Sequence, residues 1–239
     1  MTAVLSLLVA LILAAGGAAG PSPVERLALG RSYDGRPIVA IHLRGEGSRV
    51  LAFGCIHGDE CAGVAVVREL LRRGPRPGLD LWLVPNLDPD GLARGRRQNG
   101  RGVDLNRNFP SGWRPIGVRW DPEYSGHGPS SERETRIAMR LIERIRPAVT
   151  IWYHQQWDTP GFVRAWGQSV PGARCYARLA GVPFRRLPWA AGTAPNWQNH
   201  RFLGTTSFVV ELSRSRIVPA TMQRHAGAVN LLAARRAGR

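Results

Sequence analysis

Residues 50–60, VLAFGCIHGDE, decide the fold class of this 239-residue chain. Residues 50–55 form the continuous apolar run that is typical of a buried strand in a parallel sheet. Residues 60–72 then place apolar side chains at helical spacing, with charged side chains on the other face. A strand that leads directly into a helix favours an α/β fold, in which ligands bind outside the carboxyl ends of the strands.

The same alternation of strand and helix patterns continues along the chain in both directions. Apolar runs predict strands at residues 38–43, 50–55, 79–84, 148–153 and 207–212. Helical spacing predicts helices at residues 60–72, 131–145, 170–181 and 219–235. Ser131 and Glu134 predict a capping box at the start of the second helix. We therefore expect an α/β fold with a mixed, mostly parallel central sheet and helices on both faces.

The composition is that of a globular protein, with 44% hydrophobic and 21% charged residues, which argues against a wholly disordered chain. All 33 basic residues are arginine, and with 17 acidic residues they give a formal net charge of +16. This charge favours anionic surfaces such as an acidic cell-wall polymer, although the codon usage of a GC-rich genome is the simpler explanation of most arginines. The arginines are scattered without a nucleic-acid-binding signature, so we expect no specific nucleic-acid partner.

The N-terminal region has the pattern of an export signal. Residues 2–20 carry no charged side chain, and an apolar core is followed by a run of small residues, which predicts a secretory signal peptide and a secreted or cell-envelope protein. A membrane anchor is the alternative, because the uncharged stretch approaches the length that spans a bilayer. We expect residues 1–24 to be the signal peptide or anchor with a linker, and residues 25–239 to form the folded domain.

The three cysteines do not form a disulfide framework. After export, Cys55 and Cys61 could pair and leave Cys175 free. Alternatively, all three are buried thiols that pack as small apolar side chains.

Reactive side chains stand at the predicted strand ends. His57 and Glu60 follow one strand and His154 follows another, and two histidines with one carboxylate make a zinc set that leaves a position open for water. Glu211 lies inside the apolar run 207–212, where a buried carboxylate needs a cation, a hydrogen-bond donor or a catalytic role. Residues 86–129 predict a long irregular segment, and such segments are usually functional.

These residues together resemble a known family. HGDE at 57–60, GVDLNRNFP at 102–110, a histidine at a strand end and a glutamate within an apolar strand are similar to the zinc carboxypeptidases related to carboxypeptidase A. The resemblance spans roughly residues 30–230, and the size of the chain is nearer the small bacterial members, including murein peptide amidases.

The resemblance implies a role for each site residue. It implies one Zn²⁺ ion held by His57, Glu60 and His154. It assigns Glu211 as the general base and Arg97 as the group that polarises the scissile carbonyl and faces the oxyanion. It assigns Asn106 and Arg107 to the terminal carboxylate of the substrate.

The family's mobile tyrosine is not assigned in this chain. Tyr176 is the tyrosine between His154 and Glu211, but it lies far upstream of the expected position, and Trp189 and Trp197 lie nearer. Four further histidines remain. We expect His42 and His225 to be structural, whereas His127 and His200, in predicted loops, could line the cleft.

The sequence thus predicts an exported zinc metallocarboxypeptidase that hydrolyses a C-terminal bond in a peptide or a peptidoglycan stem peptide. Contact with a membrane is expected only if the N-terminal segment is retained. Two alternatives stay open: a zinc amidohydrolase acting on N-acyl amino acids, and a catalytically inactive basic binding module.

Overall fold

The computed structural model describes residues 23–156, 161–213 and 218–237. Its strands are β1 Val24–Arg31, β2 Pro37–Leu43, β3 Gly47–Phe53, β4 Gly78–Val84, β5 Val149–Gln156, β6 Phe162–Ala165, β7 Phe184–Arg186 and β8 Thr206–Ser213. Its helices are α1 Gly63–Arg73, α2 Pro89–Arg94, α3 Arg133–Ile145, α4 Val170–Ala180, α5 Ala194–Arg201 and α6 Pro219–Ala237. Short 3₁₀ turns occupy Leu105–Arg107 and Gly167–Ser169.

The strands form one mixed sheet in the order β1-β2-β4-β3-β5-β8-β6-β7. The four central strands β4, β3, β5 and β8 are parallel to one another. The outer strands β2 and β6 run antiparallel to their inner neighbours β4 and β8. β4, β5 and β8 are almost wholly buried, and β3 is buried from Val50 onward, as expected for parallel strands covered on both faces.

Helices cover both faces of the sheet and divide the core in two. On one face, α1, α4 and α6 pack on side chains such as Ile151 and Val210. On the other face, α3 and α5 pack on side chains that include Phe53 and Trp152, whose rings are stacked. The predicted α/β architecture, with a mixed, mostly parallel sheet and helices on both faces, is confirmed.

The turn between β3 and α1 is longer than the sequence pattern predicts. β3 ends at Phe53 rather than at residue 55, and α1 begins at Gly63 rather than at residue 60. Cys55 and Cys61 form a disulfide with their Cα atoms 4.6 Å apart, so this segment is closed on itself. The backbone nitrogen of Glu60 donates to the His57 carbonyl at 3.0 Å. His57 and Glu60 therefore lie in one cross-linked turn and not in the first turn of a helix.

The predicted capping box at the start of α3 is wrong. Glu132 is the N-cap residue, and Ser131 donates its hydroxyl hydrogen to the Glu132 carboxylate at 2.8 Å. Glu134 is buried and accepts hydrogen bonds from the Tyr33 backbone nitrogen and the Asn99 side chain. Long-range partners for Glu134 replaced the local contact that the sequence pattern indicated.

Several short elements have no counterpart among the predictions: β1, β6, β7, α2 and α5. β1 begins at Val24, the last residue of the predicted leader, and the rest of that leader up to residue 22 lies outside the described residues. Within the described residues, every helix is too short or too polar to cross a membrane. Segment 86–129 is irregular apart from α2 and one 3₁₀ turn, as predicted.

Candidate metal centre

The metal-type side chains meet at the carboxyl ends of the central strands. β3 leads into the turn that carries His57 and Glu60, and β5 is its neighbour in the sheet. β5 and β8 pair in a register that sets His154 directly beside Glu211. Side chains at the same register position on adjacent strands point to the same face, so this pairing brings the two residues together. His154 lies inside β5, which continues to Gln156, and not directly after the strand as predicted.

His57, Glu60 and His154 form a compact donor set. Glu60 Oε2 lies 3.1 Å from His57 Nδ1 and 2.9 Å from His154 Nδ1. All three ligand atoms lie within 4.8 Å of one another. Two imidazole nitrogens and one carboxylate are the ligands of a catalytic zinc site, which keeps a further position for water. The residues present therefore fit a single zinc ion.

Asp104 contacts the side of His57 that points away from Glu60. The sequence analysis did not identify this residue. Asp104 Oδ1 lies 2.9 Å from His57 Nε2 and 2.8 Å from the Asn106 backbone nitrogen. A carboxylate on the far nitrogen of a metal-ligating histidine fixes its tautomer and orientation, here with Nδ1 toward the metal position. The signal was present in the sequence, because Asp104 belongs to the stretch GVDLNRNFP.

Charges around His57 compensate for its burial. Burial and the positive charge of Arg97 lower the pKa of His57, but the carboxylates of Asp104 and Glu60 outweigh both and raise it to about 9. Burial raises the pKa of Asp104, but the charges of Arg97 and His57 outweigh it and hold that pKa below its usual value. Without metal, His57 therefore carries a proton at neutral pH, and a metal ion must displace it.

Arg97 lies beside the ligand set. Its Nη1 donates to Glu60 Oε1 at 2.5 Å, and its Nε and Nη2 donate to Asp104 Oδ2 at 3.1 and 2.9 Å. Two carboxylates therefore hold this guanidinium in place against the metal position. This placement agrees with the oxyanion role that the family resemblance implies.

A cleft of about 180 Å³ opens in front of these residues. It is lined by Glu60, Arg97, Asn106, Arg107, His154, Gln156, Arg164, Trp189, Ala190, Thr193, Pro195, Val209 and Glu211. Six of the seven site residues predicted from the sequence thus share one cleft. The seventh, His57, is fully buried behind it.

The two residues expected to bind a carboxylate are anchored on one wall of the cleft. Asn106 accepts a hydrogen bond from the Ala194 backbone nitrogen at 2.9 Å, which ties the 3₁₀ turn to the start of α5. Arg107 donates from Nη1 to the Asn106 carbonyl at 3.0 Å and from Nη2 to Glu123. The contact with Glu123 shows that this guanidinium can reach a carboxylate.

The structure shows that Tyr176 cannot take the part of a mobile tyrosine. Its hydroxyl is fully buried on the opposite face of the sheet, 2.9 Å from the Tyr153 hydroxyl and 2.9 Å from His225 Nδ1. Trp189 does line the cleft, whereas Trp197 packs in the core against Phe109.

The remaining histidines lie away from the cleft. His42 contacts Asp80, and His225 is buried, so the structural roles expected for them agree with their surroundings. His127 contacts Arg101 and is not among the residues that line the cleft. His200 lies in α5 rather than in a loop, donates to the Asn196 carbonyl, and also lies outside the cleft lining.

A comparison with protein families agrees with this geometry. The model that describes zinc carboxypeptidases matches residues 13–158. The chain belongs to the zinc carboxypeptidase family. Zinc is therefore the metal that the set of His57, Glu60 and His154 is suited to hold.

Relatives of the chain agree with this family membership. Murein peptide amidase A of Escherichia coli K12 is 34% identical over 139 residues, which cover 52% of this chain and 57% of that protein. The chain thus aligns with little more than half the length of this curated relative. The crystal structure of murein-tripeptide amidase MpaA from Escherichia coli O157 has a TM-score of 0.67 and 28% identity, and covers 90% of this chain and 94% of that one.

A solved structure with lower sequence identity supports the fold alone. Carboxypeptidase A from Helicoverpa armigera has a TM-score of 0.76 at 17% identity, and covers 90% of this chain and 68% of that one.

Proposed function

We propose that this zinc carboxypeptidase removes the C-terminal residue from a peptide, and that cell-wall stem peptides are among its substrates. One observation carries the proposal: a single cleft brings Glu211, Arg97 and Arg107 to the edge of the metal-ligand set. Such a cleft offers a base for a water molecule, a donor for an oxyanion and a partner for a terminal carboxylate.

Glu211 is suited to move the proton. When bound, zinc lowers the pKa of a coordinated water to about 7 and polarises a carbonyl. Glu211 stands beside His154 in the sheet, lines the same cleft and is 6% exposed, so its carboxylate is largely shielded from solvent. In the proposed reaction, Glu211 takes a proton from the attacking water and passes it to the nitrogen of the leaving amino acid.

Arg97 and Arg107 take the two remaining roles, at the oxyanion and at the terminal carboxylate. Arg97, fixed by Glu60 and Asp104, donates to the oxygen that gains negative charge as water attacks. Loss of one such donor usually lowers the rate about 100- to 1000-fold. Arg107, with Asn106, binds the free carboxylate of the last residue and so restricts cleavage to the C-terminal bond.

Relatives support the choice of substrate. A curated relative and a solved structure that share 34% and 28% identity with the chain carry the names murein peptide amidase and murein-tripeptide amidase. The net charge of +16 supports contact with an anionic cell-wall polymer.

We also propose that the protein is exported. The uncharged apolar segment at residues 2–20 has the pattern of a secretory signal. The disulfide between Cys55 and Cys61 gives independent support, because disulfides persist mainly in oxidising compartments outside the cytosol. The matching measurement is the N-terminal sequence and location of the mature protein in its native cells.

A substrate panel tests the proposed activity. Zinc-loaded protein is incubated with matched peptides that end in a free carboxylate or an amide, with stem peptides and with N-acyl amino acids, and products are identified by mass spectrometry. We expect release of single C-terminal residues, loss of this activity with a chelator and its return with zinc. Preferential cleavage of N-acyl amino acids would instead favour the amidohydrolase alternative, and absence of any cleavage would refute the proposal.

A further inference from the structure

The mechanism leaves one arginine in the cleft unused. Arg164 lies on β6 opposite Val209 of β8, and Glu211 stands two residues further along β8. Side chains two residues apart on a strand point to the same face, so Arg164 and Glu211 face the same side of the sheet. Both side chains line the cleft, and the negative charge of Glu211 attracts the positive charge of the Arg164 guanidinium.

Arg164 differs from the other two cleft arginines in its partners. Arg97 is held by two carboxylates, and Arg107 contacts Glu123. Among the described residues, no carboxylate oxygen lies within 4.0 Å of the Arg164 guanidinium. Its charge is therefore not neutralised by an ion pair in this part of the chain.

The Arg164 side chain is nevertheless fixed in place. Its Nη2 donates to the Pro188 carbonyl at 3.2 Å, and its guanidinium carbon lies 5.8 Å from the centre of the Trp189 ring. A guanidinium that is oriented in advance loses less conformational entropy when it binds an anion.

Two donors at this corner of the cleft lack an acceptor in the described part of the chain. The Arg164 Nε and the Trp189 Nε1 are buried and have no hydrogen-bond partner among the described residues. Burial, and to a lesser degree the positive charge of Arg107, lower the pKa of Arg164, while Glu211 opposes this shift. A buried donor without an acceptor costs about 1–3 kcal/mol, so this corner of the cleft is suited to a ligand that brings negatively charged oxygens.

We propose that Arg164 is a specificity-determining residue, which binds a carboxylate on the side chain of the last residue of the substrate. This inference rests on the proposed function, in which Arg107 takes the terminal carboxylate and Arg97 faces the oxyanion. The preferred last residue then carries a second carboxylate, as glutamate, aspartate and diaminopimelate all do. Arg107 and Arg164 then each bind one carboxylate of the substrate, and Arg97 stabilises the oxyanion that forms as water attacks.

Substrate pairs that differ in one group test the inference. Peptides ending in glutamate and glutamine are compared by kcat/KM with the zinc-loaded native protein, with Arg164→Gln and with Arg174→Gln. Arg174 is a matched control, because it also lies over an aromatic ring, that of Phe184, but on the other face of the sheet. We expect the native protein and Arg174→Gln to prefer glutamate about 10- to 100-fold, the range of a charge-assisted hydrogen bond, and Arg164→Gln to lose this preference.

The neutral substrate separates specificity from an effect on Glu211. If Arg164 binds the substrate side chain, Arg164→Gln lowers kcat/KM about 10- to 100-fold more for the glutamate peptide than for the glutamine peptide, and any effect through Glu211 appears as the part of the loss that both peptides share. An equal loss on both peptides would overturn the inference, because it would place the effect of Arg164 on the general base. Arg164→Glu should reverse the preference, toward peptides that end in lysine or arginine.

Two further arms identify the source of the carboxylate and separate the two proposals. Stem peptides ending in diaminopimelate are compared with peptides ending in glutamate and in lysine, and rapid cleavage of the first two but not the third is expected. Hydrolysis without any preference for a second carboxylate would refute the role of Arg164 and leave the proposed function standing. Absence of hydrolysis with every peptide would refute the proposed function and the inference that rests on it.

Discussion

Asp104→Asn tests whether the buried carboxylate behind His57 tunes the metal site. In the native protein, Asp104 Oδ1 accepts from His57 Nε2 at 2.9 Å, and Oδ2 accepts from Arg97 Nη2 at 2.9 Å. Asparagine keeps the shape and can still accept the His57 hydrogen through its oxygen. Its amide nitrogen then faces the Arg97 donors, and the negative charge beside His57 is lost.

The expected effect on zinc affinity depends on pH. Above the His57 pKa of about 9, we expect Asp104→Asn to bind zinc about 10- to 100-fold more weakly, because a ligating histidine is a weaker ligand without its carboxylate partner. At pH 7, zinc must also displace a proton from His57 of the native protein, which costs roughly 3 kcal/mol for a pKa two units higher. Since His57 of the variant is less basic, the deficit should shrink at pH 7.

Competition with a coloured chelator, at pH 7 and at about pH 9.5, measures both affinities. Asp80→Asn is a matched control, because Asp80 is also buried and also contacts one histidine, His42, and one arginine, Arg49. Asp80 lies at the amino-terminal end of β4, away from the metal set, so its variant should bind zinc like the native protein. Equal zinc affinity of Asp104→Asn and Asp80→Asn at the higher pH would refute the role assigned to Asp104.

Three further predictions concern the base, the carboxylate site and the buried face of the sheet. Glu211→Gln should retain one zinc per chain by metal analysis but lose about 100- to 10,000-fold in kcat, and unchanged turnover would reject Glu211 as the base. Arg107→Ala should raise KM far more for peptides with a free C-terminal carboxylate than for amidated ones, and equal losses in a steady-state comparison would argue against terminal recognition. Burial, then the charge of Arg224, lowers the pKa of His225 from 6.5 to about 4, so the unfolded chain binds a proton that the folded one does not between these values. The free energy of unfolding should therefore fall by up to about 3 kcal/mol as pH falls from 6.5 to 4, and urea titrations should show a smaller fall for His225→Asn; equal slopes would show that His225 is not the group responsible.

Local patterns in the sequence were sufficient for the architecture of the central sheet. The apolar runs that became β3, β4, β5 and β8 are long and continuous, because strands buried on both faces admit few polar residues. The strands that the sequence did not predict lie at or next to the edges of the sheet. β6 and β7 have four and three residues, and β1 is an outer strand with alternating exposure, so none of them carries a comparable signal.

The sequence by itself also determined which residue types could hold zinc, because HGDE and GVDLNRNFP are contiguous stretches whose chemistry is visible without a fold. Only the tertiary structure decided how they meet. The register of β5 on β8 sets His154 beside Glu211, and Asp104 reaches His57 across 47 positions of chain. Arg164 enters the same cleft because β6 pairs antiparallel with β8. Such contacts depend on strand order and register, which are set by the packing of the whole sheet and leave no mark at any single position in the sequence.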